Sequence, residues 1–117
     1  MSRSPDCLFC KIVAGEIPAE MVYSDDLVVA FRDIAPVAPT HVLIVPRHHI
    51  DDAAAIELTD SPNLVALLTA AQHVAVIENV ADSGYRLVFN VGDAAGNTVP
   101  HLHLHLVGGR ELEWPPG

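Results

Sequence analysis

Three histidines separated by single leucines, His101-Leu102-His103-Leu104-His105, hold the densest chemistry in the chain. In a strand the period of two sends all three imidazoles to one face and both leucines to the other. Imidazoles are neutral or charged near pH 7 and can act as nucleophile, acid, base or metal ligand. The run by itself also fits a plain polar strand face. It fits a catalytic zinc site built on His101 and His103 as well. Such a site wants a third ligand and an acidic base, yet the nearest carboxylates, Asp93 and Glu111, lie in different turns. A second cluster, Cys7-x-x-Cys10, suits a redox pair, half of a metal site or a helix start. Thioredoxin-like use is disfavoured because no strand of sufficient length precedes Cys7.

The surrounding elements must hold these groups in place. Cys7 to Ala14 reads as a short helix ended by Gly15. Met21 to Tyr23 and Leu27 to Arg32 read as a hairpin turning over Ser24-Asp25-Asp26, and His41 to Val45 as a third strand between Pro39 and Pro46. From Thr59 to Gly84 the pattern is helical: Ser61 suits a cap, Pro62 the first turn, and Leu64, Leu67, Leu68, Ala71 and Val74 recur at helical spacing. His73, in mid-helix, reads as a solvated side chain. Tyr85 to Val91 is strand-like, Gly92 to Asn97 is a loop, and Val99 to Val107 is the histidine strand. Strands that follow one another locally predict an α+β fold, an antiparallel sheet of about five strands with one long and one short helix.

The composition narrows the range of partners. One domain over residues 1–117 is expected, since half of the residues are hydrophobic. A net charge of -9, from six Lys and Arg against fifteen Asp and Glu, disfavours a nucleic acid polymer. A small anion remains acceptable in a pocket of histidines and backbone N–H groups. The polar start Met1 to Asp6 lacks the hydrophobic region of a signal peptide, and no segment has the length of a membrane span. A cytoplasmic protein with free or metal-bound thiols is the expectation.

The segment from Pro100 through Val107 resembles the His-φ-His-φ-His-φ-φ signature of the histidine-triad superfamily. Phe31-Arg32-Asp33-Ile34-Ala35-Pro36, Ala38-Pro39-Thr40-His41, Ile44-Val45-Pro46-Arg47, Gly84-Tyr85-Arg86, Asn90-Val91-Gly92 and Gly108-Gly109-Arg110 through Trp114-Pro115-Pro116-Gly117 resemble, in order, segments of its nucleotide-binding branch. The likeness spans nearly the whole chain.

The resemblance implies an adenosine 5'-monophosphoramidase-like hydrolase that splits phosphoramidates of AMP or another purine nucleotide through a nucleotidyl-histidine on His103. A backbone carbonyl would hold the second nitrogen of that ring. His105 would bond the phosphate or leaving group, and His41 would support the nucleophile. Gly96, Asn97 and Thr98 match the phosphate-contacting loop, with Thr98 where many relatives carry Ser. Asp33 would bind the ribose, with Ile34 against the base and Asn90 also at the nucleotide. From the residues alone, Asp33 suits a hairpin-end turn and Asn90 a strand-end cap. Arg32 receives no contact.

The resemblance further implies a homodimer with its sheet extended across the interface. The tail 108–117, carrying Trp114, would reach the partner subunit's site. It also implies a structural zinc on Cys7, Cys10, His49 and His101, and no organic cofactor. His48 and His49 fall on opposite faces, so only one should ligate, and His49 is favoured. A transferase reading is weaker because the uridylyltransferase relatives carry Gln where this chain has His105. A dinucleoside polyphosphate hydrolase shares the triad but lacks the Trp-Pro-Pro-Gly ending. A nucleotide- or protein-binding regulator with little turnover stands as the reading from another class.

Overall fold

Asp25 closes the first hairpin: its Oδ1 accepts the backbone N–H groups of Leu27 and Val28, each at 2.9 Å. This Asx turn joins β1 (Met21–Ser24) to β2 (Val28–Arg32). β3 (Thr40–Pro46), β4 (Tyr85–Val88) and β5 (Leu104–Gly108) complete a five-stranded sheet in the order β1-β2-β3-β5-β4. Every pairing is antiparallel. The short helix α1 (Leu8–Val13) precedes the sheet, and the long helix α2 (Ser61–Ile77) lies between β3 and β4. This computed structural model describes residues 6–117. The reading of Met1 to Asp6 as a polar start therefore lies, but for Asp6, outside the described residues.

The α+β class and the five strands agree with the sequence; most element ends shift by a residue, α2 ends at Ile77 well before Gly84, and three further differences have a visible cause. The histidine strand begins only at Leu104, because His101 and Leu102 leave the ladder. The N–H of His101 turns back to the carbonyl of Val99, and that of Leu102 reaches the carbonyl of Ile50. β4 stops at Val88 rather than Val91. At α2, Asp60 precedes the helix instead of Ser61 acting as cap, and its carboxylate accepts the N–H of Glu57.

Each face of the sheet has its own apolar layer. On one side Leu67, Ala70, Ala71, Val74 and Ala75 of α2 pack on Val42, Ile44, Leu104 and Leu106. On the other side Phe9 and Ile12 of α1 cover Val29, Phe31, Leu43 and Val45. Strand alternation explains the split, since Val42 and Leu43 are neighbours pointing opposite ways. Leu68, expected in the core from its spacing, stays 46% exposed. α2 is apolar nearly all round, so spacing alone did not select its buried side. No helix among the described residues is long and apolar enough to cross a membrane.

Candidate active site

The leucines of the histidine run enter the helix-side core, which forces the imidazoles onto the opposite face. Cross-strand partners share a face, and β3 lies beside β5 with Leu43 opposite His105 and His41 opposite Val107. His41, His103 and His105 therefore gather on one surface. The ring centroids of His103 and His105 lie 5.0 Å apart, and those of His41 and His105 5.2 Å.

Hydrogen bonds decide where the protons sit. His103 Nδ1 is 2.7 Å from the carbonyl oxygen of His101. A carbonyl only accepts, so Nδ1 carries the hydrogen and Nε2 keeps its lone pair. The backbone N–H of Val37 donates to His41 Nδ1 at 3.2 Å, which leaves the hydrogen on His41 Nε2. That nitrogen donates to His105 Nδ1 at 2.9 Å. In neutral His105 the remaining hydrogen then sits on Nε2, which lies 3.5 Å from Asn90 Nδ2; both are N–H donors, so in this tautomer the two do not bond each other and the Nε2 hydrogen is left for another acceptor. Burial, then the neighbouring His103 and His41, push His105 down to about 4, so its ring is neutral at pH 7.

A cavity of about 540 Å³ opens before these rings. Its floor is apolar, including Phe9, Ile12, Ile17, Phe31 and Leu43, and its polar rim includes Asp33, Thr98, His103 and His105. Of the residues singled out in the sequence, Ile34, Gly96 and Thr98 also line it. Gly96 has φ +82 and open space where a side chain would stand, so the loop backbone can approach a ligand closely. Asp33 makes the turn expected of it, Oδ1 accepting the N–H of Ala35 at 2.8 Å, and the residue borders the cavity. Asn97 is not part of that lining, and its Oδ1 is buried with no hydrogen-bond partner among the described residues. Arg32 lines the cavity with its guanidinium engaged by Glu78 and Glu20.

Two placements were not foreseen. His41 contacts His105 rather than His103, because its ring reaches the strand neighbour one row away. Phe9, hidden between the two cysteines, stands edge-on to Phe31, His101 and His103, with centroids 5.1 to 6.0 Å apart. Only its apolar character in a polar motif could have signalled this. Trp114 is not part of the cavity lining and is 83% exposed. His73 is exposed as expected, yet its ring stacks on Tyr23 at 5.4 Å.

Cys7, Cys10, His49 and His101 form a separate cluster able to hold a metal ion, their donor atoms all within 4.8 Å of one another. His101 Nδ1 lies 3.2 Å from Cys7 Sγ and 3.4 Å from Cys10 Sγ, and His49 Nδ1 lies 3.3 Å from Cys10 Sγ. The far nitrogens donate outward, His101 Nε2 to the Pro46 carbonyl and His49 Nε2 to Asp51. Those bonds leave both Nδ1 atoms as lone-pair donors. His103 stands outside this cluster, so the run divides into one histidine facing the thiols and two facing the cavity.

Comparison with known proteins accords with this geometry. The HIT domain family matches residues 14–112. The chain belongs to the HIT domain family. A purine nucleoside phosphoramidase of Escherichia coli (strain K12) is 44% identical over 92% of this chain and 90% of its own length. An uncharacterized HIT-like protein of Synechococcus elongatus is 47% identical over 97% of this chain and 99% of its own. The crystal structure of a HIT family hydrolase from Legionella pneumophila superposes with a TM-score of 0.93 at 51% identity, covering 96% of this chain and all of the other. In this HIT protein His101, His103 and His105 form the alternating histidine run, and His41 on the neighbouring strand bonds His105.

Proposed function

We propose that the protein hydrolyses phosphoramidates of AMP or a related purine nucleotide to the nucleotide and a free amine. The observation that carries this reading is the hydrogen bond from His103 Nδ1 to the His101 carbonyl, which leaves a nucleophilic Nε2 beside the cavity. The phosphoramidase named among the relatives supports the substrate class.

Each residue then has a task. The purine lies on the apolar floor against Ile34, and Asp33 accepts from the ribose hydroxyls. Gly96, Asn97 and Thr98 surround the phosphate from the loop. Asn97 contributes through the backbone of that loop, since its Oδ1 is a buried acceptor away from the cavity lining, while Asn90 meets the nucleotide beside His105. The lone pair of His103 Nε2 attacks phosphorus as the P–N bond breaks. Its electrons go to the amine nitrogen, which takes the proton of the Thr98 hydroxyl, and the water that attacks in the second step returns a proton to that oxygen. His105 donates its Nε2 hydrogen to the phosphoryl oxygen. Water then attacks phosphorus, the bond to His103 breaks, and the imidazole regains its lone pair as AMP forms.

The four-residue cluster suits a structural zinc ion. Zinc bonds of about 2.3 Å to sulfur and about 2.0 Å to nitrogen imply sulfur–nitrogen edges of roughly 3.5 Å in a tetrahedron. The distances of 3.2 to 3.4 Å lie close to that. Two cysteines and two histidines fill the coordination shell, so the ion would supply folding energy rather than an activated water.

A homodimer completes the proposal: one domain per chain, with residues 108–117 reaching the partner's site. β4 is an edge strand with an exposed Leu87, and the exposed Trp114 has no seat in its own cavity, both of which support this arrangement. A cytoplasmic location fits two cysteines that form no disulfide.

The test is single-turnover hydrolysis of an adenosine phosphoramidate. His103→Ala is expected to lose turnover while AMP binding, measured by calorimetry, stays within a few-fold. An adenylyl adduct is expected on the peptide containing His103. Robust turnover by His103→Ala overturns the assignment.

A further inference from the structure

Access to the four-residue cluster is uneven. Cys7 is 4% exposed, Cys10 2% and His101 0%, while the side chain of His49 is 16% exposed. The cavity before His103 borders none of the four. A separate cavity of about 330 Å³, formed where the chain runs from β3 to α2, borders His49 alone among them. Among the described residues His49 is therefore the side on which the cluster lies nearest to solvent.

That cavity is acidic. Asp51, Glu57 and Asp60 line it, and no Lys or Arg does. Backbone groups hold two of these carboxylates: Asp60 accepts the N–H of Glu57 at 2.9 Å, and the Glu57 side chain accepts the N–H of Asp60. A neutral amide fixes a carboxylate and leaves its charge intact. Asp51 is joined to the cluster itself, its Oδ1 accepting from His49 Nε2 at 2.8 Å. The imidazole of His49 thus stands as a partition, with Nδ1 facing Cys10 Sγ at 3.3 Å and Nε2 facing the acidic cavity.

We propose that this cavity is the entrance by which a divalent cation reaches the two cysteines, with Asp51, Glu57 and Asp60 drawing it in and His49 swinging aside to admit it and closing last. The proposal rests on the metal reading of the cluster above. Fixed charges of one sign around an opening raise the local concentration of counter-ions and speed their capture by about 10- to 1000-fold. His49 is the member with room to move, because Cys7 and Cys10 belong to the apolar layer around α1 and His101 is fully enclosed. Charges that act on the path stabilise a cation in transit. Entry and exit therefore quicken together, while the filled cluster is left nearly as stable as before. That signature separates an entrance from an additional ligand, whose removal would lower occupancy.

The test follows the exchange of bound zinc for isotopically labelled zinc in the intact, loaded protein at low salt. Asp51→Asn/Glu57→Gln/Asp60→Asn keeps an acceptor at each position and removes the three charges. Exchange is expected to slow about tenfold, the gap shrinking as salt rises, with the zinc content at saturation and the Tm of the loaded protein as in the parent. Ala55→Phe, which narrows the same cavity without altering its charge, is expected to slow exchange at every salt concentration. Uptake of cobalt(II) by reduced, metal-stripped protein should follow the same order, read from the absorption of the thiolate–cobalt bonds. Removing three exposed charges elsewhere, in Asp82→Asn/Asp93→Asn/Glu111→Gln, should change the rate by less than about twofold. Exchange in the charge variant at least as fast as in the parent overturns the proposal, as does equal slowing by the distant substitutions. Loss of zinc at saturation from the charge variant overturns it too, since the carboxylates would then support the bound state. A parent protein that holds neither zinc nor cobalt overturns the metal reading itself.

Discussion

His103 Nδ1 donates to the carbonyl oxygen of His101 at 2.7 Å, and the ring of that same His101 closes the cluster with Cys7, Cys10 and His49. One residue therefore belongs to two sites: its side chain faces the thiols, and its backbone orients the candidate nucleophile.

Removal of metal should be felt at both. Purified protein is expected to carry about one zinc per chain by elemental analysis. Stripping it, or replacing Cys10 with Ser, is expected to lower Tm by roughly 10 °C or more and to reduce kcat while KM changes less. Metal-free protein with unchanged Tm and kcat would contradict the coupling.

His41 fixes the tautomer of His105 by donating to its Nδ1 at 2.9 Å. Loss of such an orienting partner typically costs about 10- to 100-fold in activity. His41→Ala is accordingly expected to lower kcat/KM by about that factor while AMP affinity stays near its original value. A variant as active as the parent would leave His41 with a packing role only.

The depressed pKa of His105 makes stability depend on pH. Its folded value is about 4, below the ordinary histidine value of about 6.5. Between those values the unfolded chain binds the proton and the fold does not, so stability is full above about pH 6.5 and declines as the pH falls toward about 4. Urea midpoints measured across that window should decrease with acidity. The slope should be shallower in His105→Gln, and identical slopes would argue against the burial of a neutral ring.

Leu67 is fully buried between α2 and the sheet. Leu67→Ala is expected to cost about 2–5 kcal/mol in urea unfolding. The triad lies on the opposite face, so kcat per folded molecule should change little.

Much of this was legible because strand alternation is a local property. Leu102, Leu104 and Leu106 entering the core oblige the intervening histidines to face away, and five residues suffice to see it. The roles of Cys7, Cys10, His49 and His101 came through resemblance, and geometry brings the four together although 94 residues separate the first from the last. Other features were hidden for a physical reason. Which side of α2 is buried depends on the sheet beneath it, since the helix is apolar nearly all round. The bond between His41 and His105 depends on the β3–β5 register. Register is a relation between distant segments that neither segment states alone.

The sheet that bears the histidines is a single layer of backbone with a helix-packed side and a ligand-facing side. Robustness and specificity are thereby assigned to alternate residues of the same strands. Changes made on opposite sides, Leu67 with Thr98 for instance, should combine almost independently, as separated substitutions without common partners do. Such a scaffold lets preference for one substrate over another drift, or be engineered, while thermal resilience is adjusted from behind.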